Sequence, residues 1–417
     1  MANAVLGFAA GNVYREVFPL VCVVLIAASA VAGNAQRVAV SQDEAKAWAS
    51  YTVPLPKSLA IPARVVVPKA QIAIVLPSGD DRVTGQANKE LKQTIGLTQA
   101  QAANPTFTIT LQLGGREAEE LKSLKNSPQA YRIAPELGDK GLRLVALTPT
   151  GLYYASKTVQ QLLKPRVTDR GVEIPLLSVT DWPDLETRGL WGAETFGNLK
   201  WLADRKINHL EQTSYRSVSK DGRGHGGIKS NWQHIVDEAP LYGMRSVPIS
   251  AHLEQCGYTG IFEAHPNLRG KGGAKGCICY SQPQIVDVLT DWIADLAGQP
   301  KVAGVDVWMS ENLQNQGGCQ CAECSKTNRS VLEIRVILSA WHKAEQRLGR
   351  RIQLYVLSSE ATYKDNPLVL KELPGEVRFW YYHWLTYNTG QSPMIPACVT
   401  AAAKKGTWAG SCPVSTR

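Results

Sequence analysis

Acidic and aromatic residues recur where short strand-like runs give out in the second half of the chain. Glu194 follows Arg188-Gly-Leu-Trp, Glu211 lies in Ile207-Asn-His-Leu-Glu, and Glu254 follows Val247-Pro-Ile-Ser. Glu311 follows Val305-Asp-Val-Trp-Met-Ser, and Glu360 follows Leu354-Tyr-Val-Leu-Ser-Ser. A further run, Trp380-Tyr-Tyr-His-Trp384, is aromatic. Carboxylates gathered on one rim repel each other, so their grouping needs a compensating use. Cleavage of a glycosidic bond is such a use. One carboxyl protonates the leaving oxygen, and a second group stabilises or attacks the oxocarbenium-like centre. Flat aromatic faces at the same rim suit a sugar ring. For each acid except Glu311, a solvated loop position explains the residue equally well.

The elements that would carry this chemistry alternate. From Asp181 onward, strand candidates begin at Arg188, Ile207, Met244, Val302, Arg351, Val377 and Thr407, with helical segments between them. Ser281–Ala297 is one such helix, with Ser281 as its N-cap. Ser330–Leu348 is another, apolar at Val331, Ile334, Ile337, Leu338 and Trp341. Repeated βα units imply a parallel sheet, and the expectation is α/β, a (β/α)8-type TIM barrel whose active site sits at the strand ends. Seven strands fall one short of eight, so the barrel is expected to be incomplete at the C-terminus.

The first half reads differently. Residues 36–69 are Pro-rich and are expected to be an irregular lead-in. Residues 70–182 carry β-branched runs at Gln71, Thr106, Ala130, Gly141 and Val172, and two helical patterns, Val83–Gly96 and Gly151–Leu163. That is a small α+β domain preceding the barrel, which would occupy 183–417.

Residues 1–35 resemble an export signal. Arg15 precedes the apolar run Val17–Ala32, which ends in the small-x-small triplet Ala30-Val31-Ala32. The run is shorter than the ~20 residues a membrane span needs, so no stable membrane insertion is expected. The expected location is secreted or periplasmic. The net charge of +9 invites a nucleic-acid reading, but the basic residues are scattered among acids and lack a recognition signature. The densest basic stretch, Lys343–Arg351, reads as a solvated helix end. No nucleic-acid partner is expected.

Five cysteines are bunched: Cys277, Cys279, Cys319, Cys321 and Cys324. An exported chain favours disulfides among them, while spacing this tight also suits a structural zinc ion. No cofactor is required by the chemistry above. No His-Glu-x-x-His pair and no Gly-x-Ser-x-Gly elbow occur, which argues against a metalloprotease and a serine hydrolase. Lys271-Gly-Gly-Ala-Lys-Gly lacks the spacing of a P-loop and reads as a flexible loop near the site.

Several segments also carry a family resemblance. Gly151-Leu-Tyr-Tyr-Ala-Ser-Lys-Thr-Val-Gln-Gln-Leu-Leu and the Pro175–Gly189 crossing resemble the end of the N-terminal domain of glycoside hydrolase family 20, the β-N-acetylhexosaminidases, where it enters the barrel. Leu202–Leu210, Tyr242–His252 and His265-Pro-Asn-Leu resemble later barrel segments of the same family. The resemblance implies an oligosaccharide or glycan substrate and an Asp-Glu pair at the end of the fourth strand. Glu311 falls on the general acid, and Ser310 stands where that family has its substrate-orienting Asp. Glu194, His252, Glu254, Trp308, Glu360, Tyr382 and Trp384 are the candidate substrate-binding residues. Glu194 lies in the segment where the family has an Arg, and Ile249 replaces a Glu. An α-glucuronidase-type hydrolase with two carboxylates, or a barrel that binds sugar without cleaving it, fits these departures.

Overall fold

The structure is a computed structural model that describes residues 36–97, 104–191, 198–250, 253–273, 276–310, 318–358, 365–383, 400 and 409–413. Its first sheet is built from β1 (Val38–Ala39), β2 (Ser58–Val67), β3 (Ile72–Val75), β4 (Phe107–Leu113), β5 (Tyr131–Pro135), β6 (Gly141–Ala146) and β7 (Val172–Asp181). The spatial order is β1-β2-β7-β5-β6-β4-β3, parallel from β3 through β4 to β6 and antiparallel elsewhere. Strand residues alternate as the sequence suggests. Phe107, Ile109 and Leu111 of β4 are buried, while Thr108 and Thr110 face the wetter side.

Helices α1 (Gln42–Ala49), α2 (Arg82–Ile95), the short α3 (Arg116–Glu120) and α4 (Pro149–Leu163) accompany this sheet. The Asp81 carboxylate caps α2 by accepting the Thr84 N–H at 2.8 Å. Gly96, at φ 74°, closes it in the left-handed conformation that suits glycine. At Gly151, in the first turn of α4, an added Cβ would stand 2.6 Å from the Ala130 carbonyl oxygen. The helix can approach the sheet this closely only without a side chain there.

The lead-in segment corrects the sequence reading. Within 36–69 lie α1 and the ten-residue β2, which pairs antiparallel with β7 from Ser58↔Thr180 to Val67↔Val172. Ile61, Ala63, Val65 and Val67 point into the core. Pro62 argued against a strand but sits in the register shift between Ala60 and Ala63, and its carbonyl accepts the Val40 N–H at 3.1 Å. A bulge tolerates the missing proline donor.

The second sheet contains β8 (Gly189–Trp191), β9 (His209–Val218), β10 (Gly224–Ile228), β11 (Arg245–Ser250), β12 (Val305–Trp308), β13 (Leu354–Ser358), β14 (Arg378–His383) and β15 (Ala409–Pro413). All except β10 run parallel, in the order β8-β9-β11-β12-β13-β14-β15. These are the seven strands the sequence indicates. Hairpin partner β10 extends the far half of β9. Among the described residues β8 and β15 are not paired with each other. The chain is α/β.

Helices α5 (Leu199–Asp204), α6 (Gln233–Glu238), α7 (Ile261–Ala264), α8 (Gln284–Ala297), α9 (Arg329–Leu348) and α10 (Asn366–Glu372) lie between these strands. Period-2 alternation divides the strands' side chains between two cores. Val305, Val307, Leu354, Val356 and Phe379 pack with residues of α8 and α9, while Val247, Ile249, Trp308, Tyr355, Leu357 and Trp380 form a separate inner cluster. Helix α8 starts later than expected. Its cap position is Pro283 rather than Ser281, whose hydroxyl instead lies 3.2 Å from Cys279 Sγ. The basic stretch ending α9 is tied down by acids: Lys343 to Asp287, Arg347 to Asp291 and Arg351 to Glu376. Among the described residues no helix is long and apolar enough to cross a membrane.

Candidate active site

Strand β12 delivers the chain to the site. Its last rung is the Met309 N–H donating to the Leu357 carbonyl at 2.9 Å, and Ser310 comes next. Ser310 is fully buried and does not face an open rim. Its N–H donates to Glu333 Oε1 at 3.0 Å and its hydroxyl to the same oxygen at 2.8 Å. The Tyr280 hydroxyl donates to that oxygen as well, at 2.8 Å, and stands 3.1 Å from Ser310 Oγ. Glu333 comes from α9 and is itself completely buried. Three donors on one carboxylate oxygen lock the backbone one residue before Glu311. The polar atoms of Ser310, a candidate catalytic group, are turned to a helix.

Glu311 lies outside the described residues, as do Glu194, His252, Glu360 and Trp384. Glu254 and Tyr382 are described in backbone only, within Leu253–Thr259 and β14 respectively. Trp308 is described in full. It is 5% exposed and belongs to the inner cluster, where the Tyr355 and Trp380 rings stack at 6.3 Å and 12°. These aromatics form an apolar floor on the inner side of the sheet.

Glu211 is also corrected. It is the third residue of β9, at the start of the strand rather than its end, and is buried. His209 Nε2 is 2.7 Å from Glu211 Oε1. Burial, with the Arg245 charge, pushes the His209 pKa down to about 3, so the ring is neutral where it meets the carboxyl. Asp306, the second residue of β12, is completely buried beside Glu211. Burial raises both acids above the ordinary carboxylate range, and the Glu211 charge raises Asp306 further. Two buried like charges are costly, so protons are retained near neutral pH. Asp306 shares the inward face with Trp308, two residues on. That two-residue spacing is the signal that marks it in the sequence. Glu333 left a signal too, since it falls on the apolar face of α9 beside Ile334 and Ile337.

The cysteines depart from the disulfide expectation. Cys277, Cys279, Cys319, Cys321 and Cys324 are all free thiols. Four of them, Cys279, Cys319, Cys321 and Cys324, bring their sulfurs within 4.8 Å of one another. Cys277 turns away and donates its thiol to the Gly272 carbonyl at 3.4 Å. The Lys271 segment, read as a flexible loop, packs on this group. The Lys271 N–H donates to Cys319 Sγ at 3.4 Å, and the Gln320 N–H donates to the Lys271 carbonyl at 2.7 Å.

Residues 49–182 match the family described as glycosyl hydrolase family 20, domain 2. Solved structures share the fold of most of the chain. Flavobacterium johnsoniae chitobiase is 13% identical with a TM-score of 0.58, the likeness covering 88% of this chain and 65% of that one. The family 20 exo-β-N-acetylglucosaminidase of Vibrio harveyi is 14% identical at 0.58, covering 90% and 62%. The family 20 β-N-acetylhexosaminidase of Streptomyces coelicolor A3(2) is 16% identical at 0.57, covering 87% and 75%. The chain therefore spans less than two thirds of the first two. No curated protein matches it significantly. Residues 49–182 are thus similar to domain 2 of glycosyl hydrolase family 20, and most of the chain shares its fold with solved family 20 structures.

Proposed function

We propose that the protein is an exported glycoside hydrolase that cleaves O-glycosidic bonds in N-acetylhexosamine-containing glycans, working from a β/α sheet of the barrel type. Glu311 is the general acid, protonating the leaving oxygen as the sugar gains oxocarbenium character. The observation that carries this reading is the anchoring of the chain at Ser310. There the last rung of β12 and the three donors on Glu333 fix the backbone immediately before the acid. A general acid contributes only when its position is held relative to the leaving group. Trp308 and Trp380 offer apolar surface for the sugar, and the domain-2 match supports the choice of sugar class.

A second reading is favoured by one observation. The Ser310 hydroxyl is committed to Glu333, so nothing at position 310 orients an acetamido group. Cleavage would then use a second carboxylate, Glu360 or Glu254, and would not need an N-acetyl substituent. Paired chromogenic glycosides with and without the N-acetyl group separate the two readings. In either, Glu311→Gln should lower turnover by about 10²–10⁴-fold while calorimetry still shows sugar binding. Unchanged turnover in that variant removes Glu311 from the mechanism. Binding without turnover in the native chain, across the whole panel, sinks the hydrolase proposal.

A further inference from the structure

We infer that Cys279, Cys319, Cys321 and Cys324 bind one zinc ion as a tetrathiolate. The site would be structural and separate from sugar cleavage. Zinc holds four sulfurs tetrahedrally at about 2.3 Å, which sets the sulfurs about 3.8 Å apart. Cys279 Sγ lies 3.7 Å from Cys321 Sγ and 3.8 Å from Cys324 Sγ, and all four lie within 4.8 Å. Disulfides would pair these sulfurs two by two at about 2.05 Å, and no pair is so joined.

The surroundings suit thiolates. In the Cys321-x-x-Cys324 turn the Cys324 N–H points at Cys321 Sγ at 3.4 Å, and the Lys271 N–H points at Cys319 Sγ at 3.4 Å. Such donors stabilise sulfur that has lost its proton to a metal. Ser281, freed from its expected capping duty, stands 3.2 Å from Cys279 Sγ and 3.6 Å from Cys321 Sγ. Cys279, Cys319 and Cys324 are almost wholly buried. An all-sulfur set leaves no coordination position for water, which is the mark of a structural ion rather than a catalytic one. Zinc there ties the segment entering α8 to the one entering α9.

The test uses the full chain purified without chelators. Metal analysis should find one zinc per chain, and chelator should expose four further thiols to a colorimetric reagent. Exchange with Co²⁺ should give the strong visible bands of a tetrahedral tetrathiolate. Cys321→Ser should weaken zinc retention at least about tenfold, whereas Cys277→Ser should keep one zinc. If Cys321→Ser does not fold, the Co²⁺ spectrum of the unaltered chain carries the decision. A folded chain without metal, iron in place of zinc, equal loss in Cys277→Ser, or disulfides among the four would each overturn the assignment. None of these readouts depends on glycoside turnover.

Discussion

The seam between the two sheets and the interior of the second sheet both bury charge, in opposite ways. At the seam the charges are matched. Lys157 of α4 is fully buried between Glu90 at 2.6 Å and Asp204 at 2.7 Å. Nearby, buried Lys206 meets Asp181 at 3.1 Å and the Tyr131 hydroxyl at 2.7 Å. Arg188 donates to Tyr154, Gln129 and two backbone carbonyls across the same seam. Inside the second sheet the charges are alike: Glu211 and Asp306 face each other, with a neutral His209 hydrogen-bonded to Glu211. Matched burial specifies how two layers meet, whereas like-charge burial stores a pH-dependent penalty beneath a candidate site.

The largest effect should come from unmatching the seam. Lys157→Met leaves Glu90 buried without its cation and should cost about 3–5 kcal/mol of stability by denaturant titration. Adding Glu90→Gln should return a good part of that loss, because the uncompensated charge disappears with it. A loss below about 1 kcal/mol in the single variant would break the contrast between seam and interior.

How much of this was legible depended on range. Strands β3 to β7, α2 and α4 follow from alternation, helical spacing and local punctuation, and those signals lie within a few residues of each other. The seven parallel strands were visible for the same reason. Strand β2 was not, because Pro54, Pro56 and Pro62 outweighed its alternation, and only the partner β7 shows that Pro62 sits at a bulge. At the site, the thiol cluster was readable from spacing, which leaves disulfides and a metal both open, because the distances between the sulfurs depend on how two loops fold together. Ser310 was placed by resemblance, yet its partner Glu333 lies 23 residues away on a helix. Sequence names the residues with chemistry; which way they turn depends on contacts distant in the chain.

An intermediate effect should separate the interior from the seam by its pH dependence. Raised carboxylate pKa values mean that the folded state holds protons the unfolded chain has released. No penalty exists below about pH 4, and stability falls as pH rises from there toward the elevated folded values, about 7 for Glu211. Asp306→Asn removes part of this penalty. The variant should therefore match the native protein near pH 4 and exceed it by about 1–3 kcal/mol at pH 8. His209 works in the other direction, its contribution being present above about pH 6.5 and lost as pH falls toward 3. It is common to both proteins and cancels in their difference. A difference that is flat with pH would show that the two acids do not share the cost.

The smallest effect concerns Ser310, and it decides whether the site borrows anything from that residue. Ser310→Ala removes one donor from Glu333 Oε1 but keeps the Ser310 backbone N–H and the Tyr280 hydroxyl on it. One hydrogen bond out of three is worth about 0.5–1.5 kcal/mol. Turnover should fall less than about tenfold, since the backbone before Glu311 stays held. A loss of 10²-fold or more in kcat, with stability unchanged, would mean that the hydroxyl meets substrate and that its orientation here is not the working one. Ser310→Asp is the sharper form of the test. It places at 310 the residue implied by the family 20 resemblance, but sets a second carboxylate against buried Glu333, so the expected result is a destabilised chain rather than faster turnover.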